Sequence, residues 1–178
     1  MSGWQGLALL MFRQVRAELT RMVDAGALGR EPGPDANSAA WLVWHVARGQ
    51  DRNLSELAGL PQVYVEQGWA ARFGRPADPS DTGYGHTPAE AAAFRGAGAP
   101  RKAAAFRGAG APGAAVLLGY LDAVHDRVEG YLAAAPAGDL ARTAPSPTLG
   151  TAESVEARLA AQLADSLAHV GQLGLLPD

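Results

Sequence analysis

Apolar residues recur every three or four positions along four stretches of the chain, which is the spacing of one face of an α-helix. The first stretch runs from Trp4 to Val23, and its large apolar positions are Trp4, Leu7, Met11, Val15, Leu19 and Met22. The same spacing predicts a second helix from about Ala39 to Ala58 and a third from Ala114 to Ala133. A last helix is expected after Thr151, whose hydroxyl can cap the first turn.

Segments rich in proline and glycine separate these helices. Residues 29–35 hold two prolines and two glycines, and residues 136–150 form another connection. The pattern between them predicts a short helix over 63–73, a long loop over 74–86 and another short helix that starts at Thr87. No stretch shows the strict alternation of a half-buried strand. The expected fold is therefore all-α, a four-helix bundle with long crossover connections.

A tandem repeat precedes the third long helix. Residues 91–100, with the sequence AAAFRGAGAP, recur unchanged as residues 103–112. A solenoid needs at least about three copies to bury a core, and each copy here carries a single large apolar residue. We therefore expect residues 103–114 to be a duplicated loop insertion within a single domain that covers residues 1–178. Function should survive removal of one copy.

Composition and charge argue against several classes of function. The formal net charge is −3, and the 15 basic and 18 acidic residues are scattered, so no nucleic acid partner is expected. No apolar run approaches the roughly 18 residues that span a bilayer, and the N-terminus has no basic leader. We expect a soluble, cytoplasmic protein without a membrane partner. The chain has no cysteine, so it has no protein thiol nucleophile, and any metal must be held by His, Asp or Glu.

Polar residues occupy the expected core stripe of the last helix, namely Gln162, Asp165, Ser166 and His169. Buried polar groups persist when they are paired, solvated or bound to something such as a metal. Asp165 and His169 are four residues apart, so both side chains lie on one helical face and can chelate one ion. On the second helix, Gly49 lies one turn after His45, where the missing side chain would leave room for a ligand. An ordinary helical ion pair and a core histidine would explain the same residues.

Three segments resemble one known family, the actinobacterial-type branch of the DinB superfamily: WLVWHVA at 41–47, DTGYGHTP at 81–88 and DSLAHVGQ at 165–172. The resemblance implies a helical bundle, often dimeric, with a divalent metal held by one histidine of the second helix and a residue-x-x-x-His pair of the last. The matching positions are His45, Asp165 and His169. Many members have histidine where this chain has Asp165, and the related mycothiol-dependent maleylpyruvate isomerase has glutamate. Asp165 is therefore expected to bind the metal directly, through water, or by orienting a histidine.

The resemblance also implies a function. Characterised relatives use mycothiol, bacillithiol or glutathione, and a chain without cysteine would need such a small thiol as cosubstrate. We expect a metal-dependent thiol S-transferase in which zinc or nickel, or alternatively iron or manganese, activates the thiol toward an electrophilic substrate. Substrate contacts are expected from Arg48, His86 and Trp41. Two alternatives stay open: a non-catalytic stress-response bundle that binds a metal or ligand, and a metal-dependent hydrolase.

Overall fold

The computed structural model describes residues 3–24, 27–31, 36–92 and 113–176. In chain order its elements are α1 (Trp4–Asp24), α2 (Ala39–Ala58), α3 (Val63–Glu66), α4 (Trp69–Arg72), α5 (Pro88–Ala92), α6 (Ala114–Ala134), a 3-10 turn (Asp139–Ala141), β1 (Thr143–Ser146), β2 (Thr151–Ser154) and α7 (Val155–Leu173). The four long helices α1, α2, α6 and α7 begin and end close to where the apolar spacing predicts. The prediction of an all-α bundle is confirmed.

The long helices form a bundle in which α1 lies diagonally opposite α2. Both α1 and α2 pack against α6 and against α7, whereas α1 and α2 make little contact with each other. The chain must therefore cross the bundle between α1 and α2. Such a crossing needs a long connection, which is the reason for the predicted crossovers.

The helix α2 is buried on almost all sides. Ser38 caps its start by accepting a hydrogen bond from the backbone nitrogen of Trp41 at 3.3 Å, and Gly59 ends it with φ of 67°. Among its residues only Arg52, Glu56 and Ala58 are half-buried rather than buried. A helix in this position must find partners inside the protein for each of its polar side chains.

Two apolar clusters form the core, and a polar stretch of α2 separates them. The first gathers around Trp44, Leu117 and Tyr120, and the second around Phe12 and Leu132. Between them, residues 48–53 of α2 carry arginine, glutamine, aspartate and asparagine side chains. The bundle therefore contains a polar layer at mid-height, and the candidate site lies beside this layer.

The prediction that the chain has no strand is wrong. The strands β1 and β2 pair antiparallel between α6 and α7, with Thr143 opposite Ser154 and Ser146 opposite Thr151. Each strand has only four residues, too few for an alternating pattern to stand out from a loop. The expected cap at Thr151 is therefore displaced to Ser154, whose hydroxyl accepts from the backbone nitrogen of Ala157 at 3.1 Å.

Two smaller expectations have a clear outcome. The helix expected over 63–73 is two single-turn helices, α3 and α4, separated by Gly68 with φ of 70°. The capping box that starts at Thr87 is confirmed, because Thr87 and Glu90 exchange hydrogen bonds.

The repeat copy at 103–112 lies outside the described residues. No helix of the described part of the chain is long and apolar enough to cross a membrane.

Candidate metal centre

His45 is the most deeply buried member of the candidate site. It is 8% exposed, and its ring stacks on the indole of Trp41 with centroids 4.6 Å apart. Its Nδ1 donates a hydrogen bond to the carbonyl oxygen of Thr82 at 2.5 Å. A carbonyl oxygen can only accept, so this bond places the proton of the neutral imidazole on Nδ1. The lone pair of His45 therefore lies on Nε2.

The helix α7 supplies the other two groups, Asp165 and His169, from successive turns. Nδ1 of His169 donates to Oε1 of Gln172 at 3.1 Å, which leaves the lone pair of this second histidine on Nε2 as well. The two imidazole rings meet edge to face, with centroids 4.7 Å apart and planes 89° apart. Each histidine thus has one nitrogen fixed by an acceptor and the other free to bind a cation.

The three ligand atoms converge on one point. Oδ1 of Asp165 lies 3.9 Å from Nε2 of His45 and 3.5 Å from Nε2 of His169. All three atoms lie within 4.8 Å of one another. Small side-chain rotations would bring them to the bond lengths of about 2.0–2.2 Å that zinc forms with nitrogen and oxygen.

The electrostatics of this cluster call for a positive charge at its centre. Two nitrogen lone pairs and a carboxylate oxygen that face each other repel one another unless a proton or a metal ion lies between them. Without a metal, a proton on Nε2 of His169 can be shared with Asp165, and this interaction raises the pKa of His169. Burial would raise the pKa of Asp165, but its interactions with the protonated forms of His169 and His45 outweigh burial and hold this pKa well below its ordinary value. A proton and a metal ion therefore compete for the same Nε2 atoms. A set of two nitrogens and one oxygen suits zinc, nickel, iron or manganese.

The loop that orients His45 depends on Gly83. This residue has φ of 88°, and a Cβ atom placed on it would lie 2.8 Å from Trp41, 2.9 Å from Trp44 and 3.1 Å from Nδ1 of His45. No other residue type could bring the backbone this close to the two indoles. Gly83 therefore allows the carbonyl group of Thr82 to reach the imidazole.

His86 has both ring nitrogens engaged away from the three ligand atoms. Its Nδ1 accepts a hydrogen bond from Nε1 of Trp41 at 3.2 Å, and its Nε2 donates to Oδ1 of Asp81 at 3.0 Å. Asp81 is also held by Arg75 at 2.7 Å. Trp41 therefore packs against His45, and His86 is held against Trp41 by this hydrogen bond. Neither residue lines the cleft described below.

The expectation that Arg48 contacts an anionic substrate is wrong. Its side chain is fully buried and forms an ion pair with Asp51 at 3.2 Å. It also donates to the backbone carbonyl oxygens of Asp81 at 2.9 Å and Pro79 at 3.1 Å. A burial this complete is possible because the guanidinium group finds acceptors on several sides. Arg48 thus ties the loop that carries Thr82 to the bundle.

A cleft of about 490 Å³ opens next to His45 and Asp165. The helices α2 and α7 form its floor, and the hairpin of β1 and β2 forms one wall. Gly49 lines it, but the reason for this glycine differs from the one the sequence suggests. A Cβ atom here would lie 3.0 Å from the amide of Gln162, so the glycine makes room for a neighbouring helix rather than for a ligand.

The sequence profile of the DinB superfamily matches residues 11–173. The chain belongs to the DinB superfamily. The fold of this DinB protein is similar to that of a solved structure described as "the conserved protein of locus from Enterococcus faecalis", with a TM-score of 0.75, 21% identity, and 98% of this chain and 95% of that chain covered. No curated protein shows significant sequence similarity to it.

Membership in the DinB superfamily agrees with the geometry of the site, because this helical family commonly binds metals.

The three convergent side chains were predicted from the sequence, but two groups beside them were not. The carbonyl of Thr82 has no signature in a sequence, since every residue carries one. Arg52 lines the cleft seven residues after His45, and this helical spacing was a signal that could have identified it.

Proposed function

We propose that this DinB protein is a metal-dependent thiol S-transferase whose metal is held by His45, Asp165 and His169. The observation that carries the proposal is the convergence of two imidazole Nε2 atoms and one carboxylate oxygen at the edge of an open cleft. Three protein ligands beside a cleft leave coordination positions for a substrate, as in catalytic metal sites. Zinc or nickel fits this donor set, and iron or manganese are alternatives.

Each residue of the site has a role in this proposal. A metal held by these residues would lower the pKa of a small thiol toward neutrality, and the thiolate would be the nucleophile that a chain without cysteine lacks. Thr82 and Gln172 orient the two imidazoles, and the carboxylate of Asp165 offsets part of the positive charge. In the transfer, the thiol sulfur forms a bond to the electrophilic carbon, the leaving group departs with its electron pair, and the thiol proton is released to solvent.

A conjugation assay tests this function. The zinc-loaded protein is mixed with 1-chloro-2,4-dinitrobenzene and one of a panel of thiols that includes mycothiol, bacillithiol and glutathione, and thioether formation and chloride release are followed. The proposal expects turnover with at least one thiol, abolished by chelation and by His45→Ala. The matched control His125→Gln removes a histidine of α6 that pairs with Glu129 outside the site, and it should keep the activity. Absence of turnover with every thiol would refute the transferase.

Two other functions remain candidates for the same site. The metal could activate water instead of a thiol, which would make the protein a hydrolase. A bundle that binds a metal or ligand in a stress response without catalysis is the other. The open cleft beside the ligand atoms favours an enzyme, since a purely structural metal site is closed. A homodimer stays a prediction from the family resemblance, and a cytoplasmic location stays a prediction from the sequence.

A further inference from the structure

The cleft beside the ligand atoms contains a positive charge without a partner. Arg52 lines this cleft, and within the described residues it forms neither a hydrogen bond nor an ion pair. Its Nε atom is buried and unsatisfied. A buried donor without an acceptor lowers stability, because the Nε–H group loses its hydrogen bonds to water and gains none within the protein. Groups that cost stability in this way are typical of functional sites.

The other charged residues of the cleft form no ion pair with Arg52. Arg158 donates to Glu56 and to Asn53 at 2.9 Å, so its charge is already paired. Glu153 lies exposed on the hairpin wall and forms no ion pair with Arg52. Burial is the largest influence on Arg52, and it lowers the pKa of this side chain against a smaller opposing effect from Glu56. Glu56 and Asp165 attract the guanidinium, but within the described residues no carboxylate lies within ion-pair distance of it.

The position of Arg52 relates it directly to the candidate metal centre. His45, Gly49 and Arg52 follow one another on the same stripe of α2, at intervals of four and three residues. The Cα atoms of His45 and Arg52 are therefore about 10 Å apart along the helix. Helical side chains lean toward the N-terminus, so Arg52 leans toward His45, and both residues line the same cleft. A small extended molecule can reach both ends.

We infer that Arg52 binds a carboxylate group of a ligand whose other end reaches His45, Asp165 and His169. This inference rests on the proposed function for the identity of the metal-bound end, which is a thiol. A single guanidinium fork matches a carboxylate in two parallel hydrogen bonds. A doubly charged phosphate would need more cations, whereas Glu153 and Asp165 make the same cleft partly acidic. The substrate class is therefore a small thiol that carries a carboxylate.

Calorimetric titration of the zinc-loaded protein tests the inference. The probes are 3-mercaptopropionate and 6-mercaptohexanoate, each compared with its uncharged carboxamide. The wild type should bind at least one of the acids about tenfold or more tightly than its carboxamide, and Arg52→Gln should remove this preference without changing the affinity for the carboxamide. The control Arg21→Gln removes the same charge from an exposed pair with Glu18 on α1 and should leave the preference unchanged.

Several results would overturn the inference. These are no preference for the acids in the wild type, a preference that Arg52→Gln retains, or tighter binding of phosphorylated thiols than of carboxylated ones. A stability readout separates recognition from a structural role, because Arg52→Gln should leave the free energy of unfolding unchanged or higher. Hexanoate and hexanamide titrated onto metal-free protein separate this inference from the proposed function. If the protein proves unable to bind zinc but still prefers hexanoate to hexanamide in an Arg52-dependent way, the metal site is refuted and the carboxylate site stands.

Discussion

At the scale of single residues, the site depends on how close the loop backbone comes to His45. The two histidines and Asp165 could be predicted from the sequence, because helical spacing and matched motifs point to side chains on known faces. The carbonyl of Thr82 could not be predicted, since a backbone acceptor is common to all residues. The role of Arg48 could not be predicted either, because the sequence does not show that backbone carbonyls and Asp51 would surround it.

Replacement of Gly83 by alanine tests the close approach of the loop. The new Cβ would meet Trp41 at 2.8 Å on a backbone with positive φ, so Gly83→Ala should reduce the free energy of unfolding by about 2–4 kcal/mol. The metal affinity should fall as well, because the Thr82 carbonyl would move away from His45. Urea unfolding and zinc titration measure the two effects.

The matched control for this substitution is Gly85→Ala. Gly85 also has positive φ, 78°, but its added Cβ would meet nothing within 4 Å. Only the backbone cost of about 1 kcal/mol is expected there, with unchanged metal affinity. Equal effects of the two substitutions would show that the packing of Gly83 against the indoles is not what holds the loop.

At the scale of elements, the hairpin is the main feature that sequence reasoning missed, and it forms a wall of the cleft. Glu56 of α2 fastens it, because its carboxylate accepts from the hydroxyl of Thr148 at 2.5 Å and from the guanidinium of Arg158 at the same distance. Arg158 also donates to the carbonyl of Pro145 at 3.0 Å. The four long helices were predictable because each repeats its apolar spacing over several turns, and strands of four residues give no comparable signal.

The pairing of Glu56 predicts an acid sensitivity. Burial would raise the pKa of Glu56, but the hydrogen bonds from Thr148 and Arg158 outweigh it and lower this pKa. A lowered folded pKa adds stability that is present above the ordinary value of about 4.3 and is lost as the pH falls through the folded pKa. Wild-type protein should therefore lose more unfolding free energy between about pH 7 and pH 3 than Glu56→Gln does.

Urea unfolding across this pH range gives the comparison, with Glu18→Gln as the control. Glu18 pairs with Arg21 on the exposed surface of α1, and removal of this pair should leave the pH profile close to that of the wild type. If Glu56→Gln and wild type show the same profile, the carboxylate does not hold the hairpin against the bundle.

At the scale of the whole molecule, the duplicated segment should be dispensable to the fold. The helix α5 (Pro88–Ala92) ends within the first repeat copy, α6 begins at Ala114 after the second copy, and none of the three site residues lies in either copy. Deletion of residues 101–112 removes one complete period. The variant should unfold at a similar urea concentration and bind zinc with unchanged affinity, because no site residue and little apolar surface is lost. Failure of this variant to fold would show that the second copy is part of the core.

We propose that His45, Asp165 and His169 hold one divalent ion, and the metal content of the purified chain tests this most directly. Elemental analysis after equilibration with zinc should give about one ion per chain in the wild type and in the control His125→Gln. His45→Ala and His169→Ala should each lose most of the metal, and zinc should raise the thermal midpoint of the wild type but not of these variants. Undiminished metal in both alanine variants, with normal folding, would contradict the account.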